Sequence, residues 1–181
     1  SGRRRSRGPM MGTVSRRSFL VMAAGMGAAL AACSSERAPK SVLPNVNARD
    51  EGLVGDGRTN DQPAMQHLVD RLAQSGGGTI HAPAAVYLMA DRPTVWRSRV
   101  SLVGDGPGRT VLKLSNAGDR TRSTTFIYNV AATGVSVRRP LADCMFDNFE
   151  LDGGDVDIPH YDFGAKGFNA QYLLRARFSR L

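Results

Sequence analysis

Apolar and polar positions change their period twice along the 181-residue chain. A first apolar run, Phe19 to Ala32, is fourteen residues long and padded with Gly25, Gly27 and alanines. Further on, Met65, Leu68, Val69 and Leu72 recur at the i, i+3, i+4, i+7 spacing of one helix face. This predicts a helix from about Asp61 to Ser75, with Asn60 or Asp61 as N-cap and Pro63 tolerated in the first turn. Gly76, Gly77 and Gly78 would end it, since glycine takes the left-handed conformation that closes helices. Beyond them the pattern shortens to β-rich pieces separated by Gly, Pro, Asn and Asp: 79–81, 86–89, 100–103, 111–114, 126–130, 144–151 and 172–181.

No second long helix intervenes, which argues against a doubly wound α/β sheet and leaves a sandwich, a barrel or a solenoid. Two stretches favour the solenoid. "MFDNFELDGG" (145–154) and "LLRARFSRL" (173–181) place Phe146, Phe149 and Leu151 at offsets similar to those of Leu174, Phe178 and Leu181, a little under thirty residues apart. Imperfect repetition on that scale is how stacked coils look in sequence.

The first apolar run is too short to span a bilayer, which takes roughly 20 apolar residues. Arginines before it and small residues at its end make it an export signal. Ser15-Arg16-Arg17-Ser18-Phe19-Leu20 resembles the twin-arginine motif of the Tat pathway, with Val21 where a lysine is usual. Leu30-Ala31-Ala32-Cys33 resembles a bacterial lipobox, so Cys33 is expected to be lipidated after removal of residues 1–32. Residues 33–47, rich in Ser, Pro and Ala, would tether the anchor to a folded domain over 48–181. The chain begins at Ser1 ahead of Met10 and Met11, so its first residues are left out of the fold argument. These readings place the protein in the bacterial cell envelope, anchored to the membrane by lipid.

Charge changes the picture once this segment is set aside. The net charge is +8, but six of the 24 basic residues precede Cys33 and no acidic residue does, leaving 18 basic against 16 acidic side chains. A net of +2 without a basic block removes the case for nucleic acid. With Cys33 lipidated, Cys144 has no intramolecular disulfide partner and is expected to be a small buried residue.

Gly52 to Leu114 carries further landmarks in a fixed order: "GDGRTND", the amphipathic helix, "GGG", a short strand, Pro83 with Tyr87, and "SLVGDGPGRT". This order resembles the N-terminal segment of the pectate-lyase-like superfamily, with Asn60 where an Asp is usual. The resemblance implies an all-β, right-handed parallel β-helix whose helix caps its N-terminal end. In each GDG, glycines permit positive φ and the central Asp is expected to bond nearby N–H groups and close a tight turn. "GDGPGRT" lacks the Gly-Lys step of a phosphate-binding loop and leads into a strand, so nucleotide binding is not expected.

Candidate chemistry concentrates in "LDGGDVDIPHYD", with Asp152, Asp155, Asp157, His160 and Asp162. Asp155, Asp157 and His160 are the catalytic candidates, and Asp152, Asp155 and Asp157 the metal candidates. Oxygen ligands gathered this closely suit a hard cation, although the EF-hand order is absent and Asp152 also reads as a turn residue. His67 and His81 read as packing or surface residues. Trp96, Tyr161 and Tyr172 read as strand aromatics or as platforms for sugar rings. The resemblance implies a polysaccharide partner, a lyase or glycoside hydrolase activity with calcium possible for a lyase, no required cofactor otherwise, and a possible homotrimer. It also implies that catalytic groups lie on later coils, so the chain is expected to be an N-terminal part. The alternative is a non-catalytic polysaccharide-binding or adhesion β-helix.

Overall fold

The computed structural model describes residues 42–115, 125–154 and 166–181. The signal residues Arg16 and Arg17, the lipidation candidate Cys33, and Asp155, Asp157, His160 and Asp162 lie outside the described residues. Thirteen strands are described: β1 (Asn45–Asn47), β2 (Asp56–Asn60), β3 (Gly78–Ala82), β4 (Ala85–Ala90), β5 (Val100–Gly104), β6 (Thr110–Ser115), β7 (Thr125–Asn129), β8 (Leu141–Ala142), β9 (Met145–Asp147), β10 (Glu150–Asp152), β11 (Lys166–Ala170), β12 (Leu173–Leu174) and β13 (Arg177–Ser179). One α-helix, α1 (Gln62–Gln74), lies between β2 and β3.

Strands adjacent in sequence do not pair; each pairs in parallel with its counterpart one coil away. The order β1-β3-β5-β9-β13 makes a five-stranded sheet, β2-β4-β6-β10 a four-stranded one, and β7-β11 and β8-β12 two short ladders. Coils wound this way form the right-handed parallel β-helix that the sequence led us to expect. Asn45–Asn47, the last residues of the expected tether, are already β1, paired with Thr79 to His81.

The core is a set of columns running along the solenoid. Val46, Ile80, Leu102, Phe146 and Phe178 occupy one register position of the five-stranded sheet. Tyr87, Leu112 and Leu151 do the same in the four-stranded sheet. Trp96, Phe126, Phe149 and Phe168 fill the interior between them. Trp96 lies 5.1 Å from Phe146 and 6.0 Å from Phe126, and Phe146 stacks on Phe178 at 5.1 Å and 15°. Phe178 therefore repeats Phe146, and Leu174 repeats Ala142. The sequence comparison that set Leu174 against Phe146 was out of register.

The corners explain why. Gly77, Arg99, Asp143 and Arg175 share one register position just before the five-stranded sheet, and all four have positive φ, +121°, +65°, +59° and +51°. At the far corner Asn148 and Arg180 do the same, at +65° and +51°. The expected strand 144–151 is thereby broken into β9 and β10 at Asn148, and 172–181 into β12 and β13 at Arg175. Close approach makes glycine necessary at Gly77, where a Cβ would sit 2.5 Å from the Arg99 carbonyl oxygen, and at Gly104, where it would sit 2.5 Å from that of Asn148.

The cap follows the helical period. Met65, Leu68, Val69 and Leu72 are buried on α1, which packs on β4 and β5. Each buried side chain contributes about 1.5–3 kcal/mol. Asp61 is the N-cap residue, but its side chain does not cap the helix. It reaches back to accept the Val54 and Gly55 N–H groups at 2.6 and 3.1 Å. Asn60 serves the helix instead, its Oδ1 accepting the Gln62 N–H at 3.1 Å and also that of Ala90.

Candidate functional site

Strand alternation leaves one side of the five-stranded sheet facing outward. Two outward rows flank the buried column: Asn45, Thr79, Ser101, Met145 and Arg177, then Asn47, His81, Val103, Asp147 and Ser179. Amides, hydroxyls and an imidazole thus line up along neighbouring coils, groups that hydrogen-bond sugar hydroxyls, while Asp147 is only 7% exposed.

His81 is the member that a carboxylate holds in place. Its Nε2 lies 2.8 Å from Asp105 Oδ1, and Asp105 Oδ2 accepts the Ala84 N–H at 2.9 Å. The bond to His81, followed by that from Ala84, holds the Asp105 carboxyl below its ordinary range. The imidazole is fixed through one nitrogen while its side chain stays 39% exposed. A ring so oriented can give or take a proton at a bound molecule. Asp147, two strands away and so about 10 Å along the row, accepts the Ser179 hydroxyl at 2.8 Å and pairs with Arg180.

Asp105 corrects the expectation for its GDG. It bonds the previous coil, and its own turn is closed by Thr110, whose hydroxyl accepts the Asp105 N–H and donates to the Ala82 carbonyl, both at 2.9 Å. In the first GDG the local turn forms as expected, Asp56 Oδ1 accepting the Arg58 and Thr59 N–H groups at 2.8 and 2.7 Å.

At the corner before this sheet, Asp143 forms a two-point pair with Arg175, and that contact, with Arg99 nearby, lowers its carboxyl pKa. The neighbouring Cys144 is buried, and desolvation pushes its thiol up to about 11, which leaves it protonated and unreactive at neutral pH.

Of the residues singled out from sequence, Asp152 ends β10 and its Oδ1 accepts the Gly154 N–H at 2.8 Å, a turn contact. Among the described residues no three His, Cys, Asp or Glu side chains gather as a cation site, and the other two metal candidates, Asp155 and Asp157, lie outside those residues. His67 is exposed on α1. Trp96 is only 1% exposed and its indole N–H donates to the Val100 carbonyl at 2.8 Å, which removes it as a sugar platform. Tyr172 remains exposed. Sequence reading missed the His81–Asp105 pair. Its signal was the distance of one coil between the two residues, visible only once Ile80 and Leu102 are in register.

Three similarities bear on this geometry. The chain is 39% identical over 80 residues to mannuronan C5-epimerase AlgE1 of Azotobacter vinelandii, covering 41% of this chain and 6% of that protein. It is 37% identical over 79 residues to alginate lyase 7 of the same organism, covering 40% of this chain and 9% of the lyase. The A-module of A. vinelandii mannuronan C-5 epimerase AlgE4 superposes with a TM-score of 0.51 at 20% identity, covering 76% of this chain and 37% of the module. The chain therefore spans a small part of the curated relatives it matches. Residues 45–159, more than half of the chain, match the family described as rhamnogalacturonase A/epimerase, pectate lyase-like, and the protein belongs to that family.

Proposed function

We propose that this chain supplies the capped first coils of an exported β-helix enzyme that acts on a uronate polysaccharide of the mannuronan or alginate type by removing the proton at C5. The observation that carries this reading is that the chain resembles a mannuronan C5-epimerase over 80 residues and an alginate lyase over 79. The two named reactions share their first step. A base takes the C5 proton, and the electron pair is held as an enediolate on the uronate carboxylate. Return of a proton to the opposite face inverts C5; loss of the O4 substituent breaks the chain and leaves a C4–C5 double bond. Glycoside hydrolysis needs two carboxyl groups at a set separation and is less supported, because Asp105 and Asp147 are already engaged. In this reading the sugar chain crosses the outward rows of the five-stranded sheet, and the Asp105-held imidazole of His81 is a proton donor or acceptor beside it.

The test is to incubate the full gene product with polymannuronate and follow the products by NMR. Guluronate residues or unsaturated ends are expected, and a lower rate in His81→Gln. Unaltered polymer would overturn the reading in favour of a second one, binding without turnover. That alternative draws on the engagement of each carboxylate described on this face.

We propose further that Arg16 and Arg17 direct export by the Tat route and that Cys33 carries the lipid anchor. Support comes from the pattern of Ser15 to Ser35 alone. Lysine at both arginines should hold the protein in the cytoplasm, and Cys33→Ala should lose palmitate label; unchanged export or retained label would refute the respective assignment.

A further inference from the structure

A second polar feature lies away from the His81 row, in a cleft of about 320 Å³ between 96–98 and 133–141. That volume is at the lower end of small-ligand pockets, about 300–1,000 Å³. Its described lining includes Arg97 and Arg139 and no carboxylate. Most other polar groups there are spoken for. Asn129 Oδ1 accepts the Trp96 N–H at 2.8 Å and its amide donates to the Trp96 carbonyl at 2.9 Å. Ser98 accepts the Ala142 N–H at 3.0 Å, and Arg97 Nε donates to Asp70 at 2.6 Å.

Arg139 differs. Its backbone is fixed by a tight turn, with N–H···O contacts of 3.0 Å in both directions with Ser136 and a third, at 3.1 Å, to the Ser136 hydroxyl. Its guanidinium has no ion pair among the described residues. Pro140 and Val135 supply apolar wall beside it. A backbone held by a turn, an exposed guanidinium without an ion pair among the described residues and an apolar wall suit a carboxylate on a pyranose ring, the fork taking both oxygens and the wall the C–H face.

We infer that this cleft is a binding site for the carboxylate of an anionic sugar, with Arg139 as its principal contact. It lies off the sheet face, so it would hold a chain segment distant from the reacting residue. The inference rests on the uronate reading above, and the test separates the two. The full chain is titrated by calorimetry with a mannuronate oligomer and with a neutral mannose oligomer of equal length, as wild type, Arg139→Gln and Arg138→Gln. Arg138 is exposed like Arg139 but lies outside the cleft lining. Arg139→Gln should weaken mannuronate binding about tenfold or more, the scale of a lost charge-assisted contact. Arg138→Gln should stay within about twofold, as expected of a screened surface charge, and the neutral oligomer should bind more weakly throughout. If wild type binds mannuronate and Arg139→Gln binds it equally, or if both variants lose affinity alike, the cleft is not the site while the uronate reading stands. If wild type binds no mannuronate, both fall.

Discussion

The middle coils and the last strand of this solenoid place the same kind of side chain at the same register position, yet bury it differently. Ile80, Leu102 and Phe146 each have a strand on either side and are fully buried. Phe178 has one described neighbour, β9, and stays 39% exposed although it stacks squarely on Phe146. Leu173 and Leu174 on β12 are exposed in the same way. Burial here is a property of the neighbouring coil and not of the residue, as a one-dimensional stack requires. At the other end α1 packs on β4 and β5, and Val46 of β1 is partly buried against the core.

The widest contrast should come from truncating one column at two heights. Phe146→Ala should cost about 3–5 kcal/mol in urea unfolding of the full chain, since it opens a cavity among Trp96, Phe168 and Phe178. In the 181-residue chain taken by itself, Phe178→Ala should cost about 1–2 kcal/mol, because Phe178 is 39% exposed there. Equal losses would break the nearest-neighbour picture.

The corners offer a smaller contrast. Gly104→Ala drives a Cβ into the Asn148 carbonyl and should cost about 1–3 kcal/mol. Gly108→Ala meets nothing within 4 Å and is strained only by its φ of +75°, a penalty of about 1 kcal/mol. A larger loss at Gly108 would mean that close packing between coils does not govern the corners.

The smallest effect is a matter of sign. Asp143 is lowered from 3.8 by Arg175, so its contribution is present above that value and is lost as pH falls through its folded pKa. Asp61 is raised from 3.8 by burial, so its contribution runs the other way, weakening as pH rises from 3.8 through its folded pKa. Amide exchange during acidification through pH 3.8 should therefore loosen β12 and β13 before the loop at Val54 and Gly55. Asp143→Asn should remove that acid sensitivity, and Asp61→Asn should remove the opposite slope at the cap.

What was legible in the sequence follows from how local each signal is. The cap helix was readable because Met65, Leu68, Val69 and Leu72 mark one face within two turns. The strands β3 to β6 were readable because each is a short β-rich run bounded by Gly, Pro, Asn or Asp. Register was not, because Val46, Ile80, Leu102, Phe146 and Phe178 are unequally spaced and, besides Asp143 and Asn148, the corners are turned by Arg99, Arg175 and Arg180, a residue type that carries no mark of positive φ. β2, "DGRTN", has no apolar residue and is a strand only because β4 pairs with it. The His81–Asp105 pair was hidden for the same reason: its partners are 24 residues apart and meet only across a coil boundary. The Arg139 cleft needs the loop after β7 folded back on Trp96, which no local pattern announces.

The most direct test of action at C5 is isotope uptake. The full gene product is incubated with polymannuronate in deuterium oxide, and the polymer is examined for deuterium at C5. Removal of the C5 proton predicts deuterium at that carbon in inverted residues, or unsaturated ends where the chain is cleaved. Polymer that is bound but keeps its C5 protons and its length would contradict the proposed chemistry and leave a binding module.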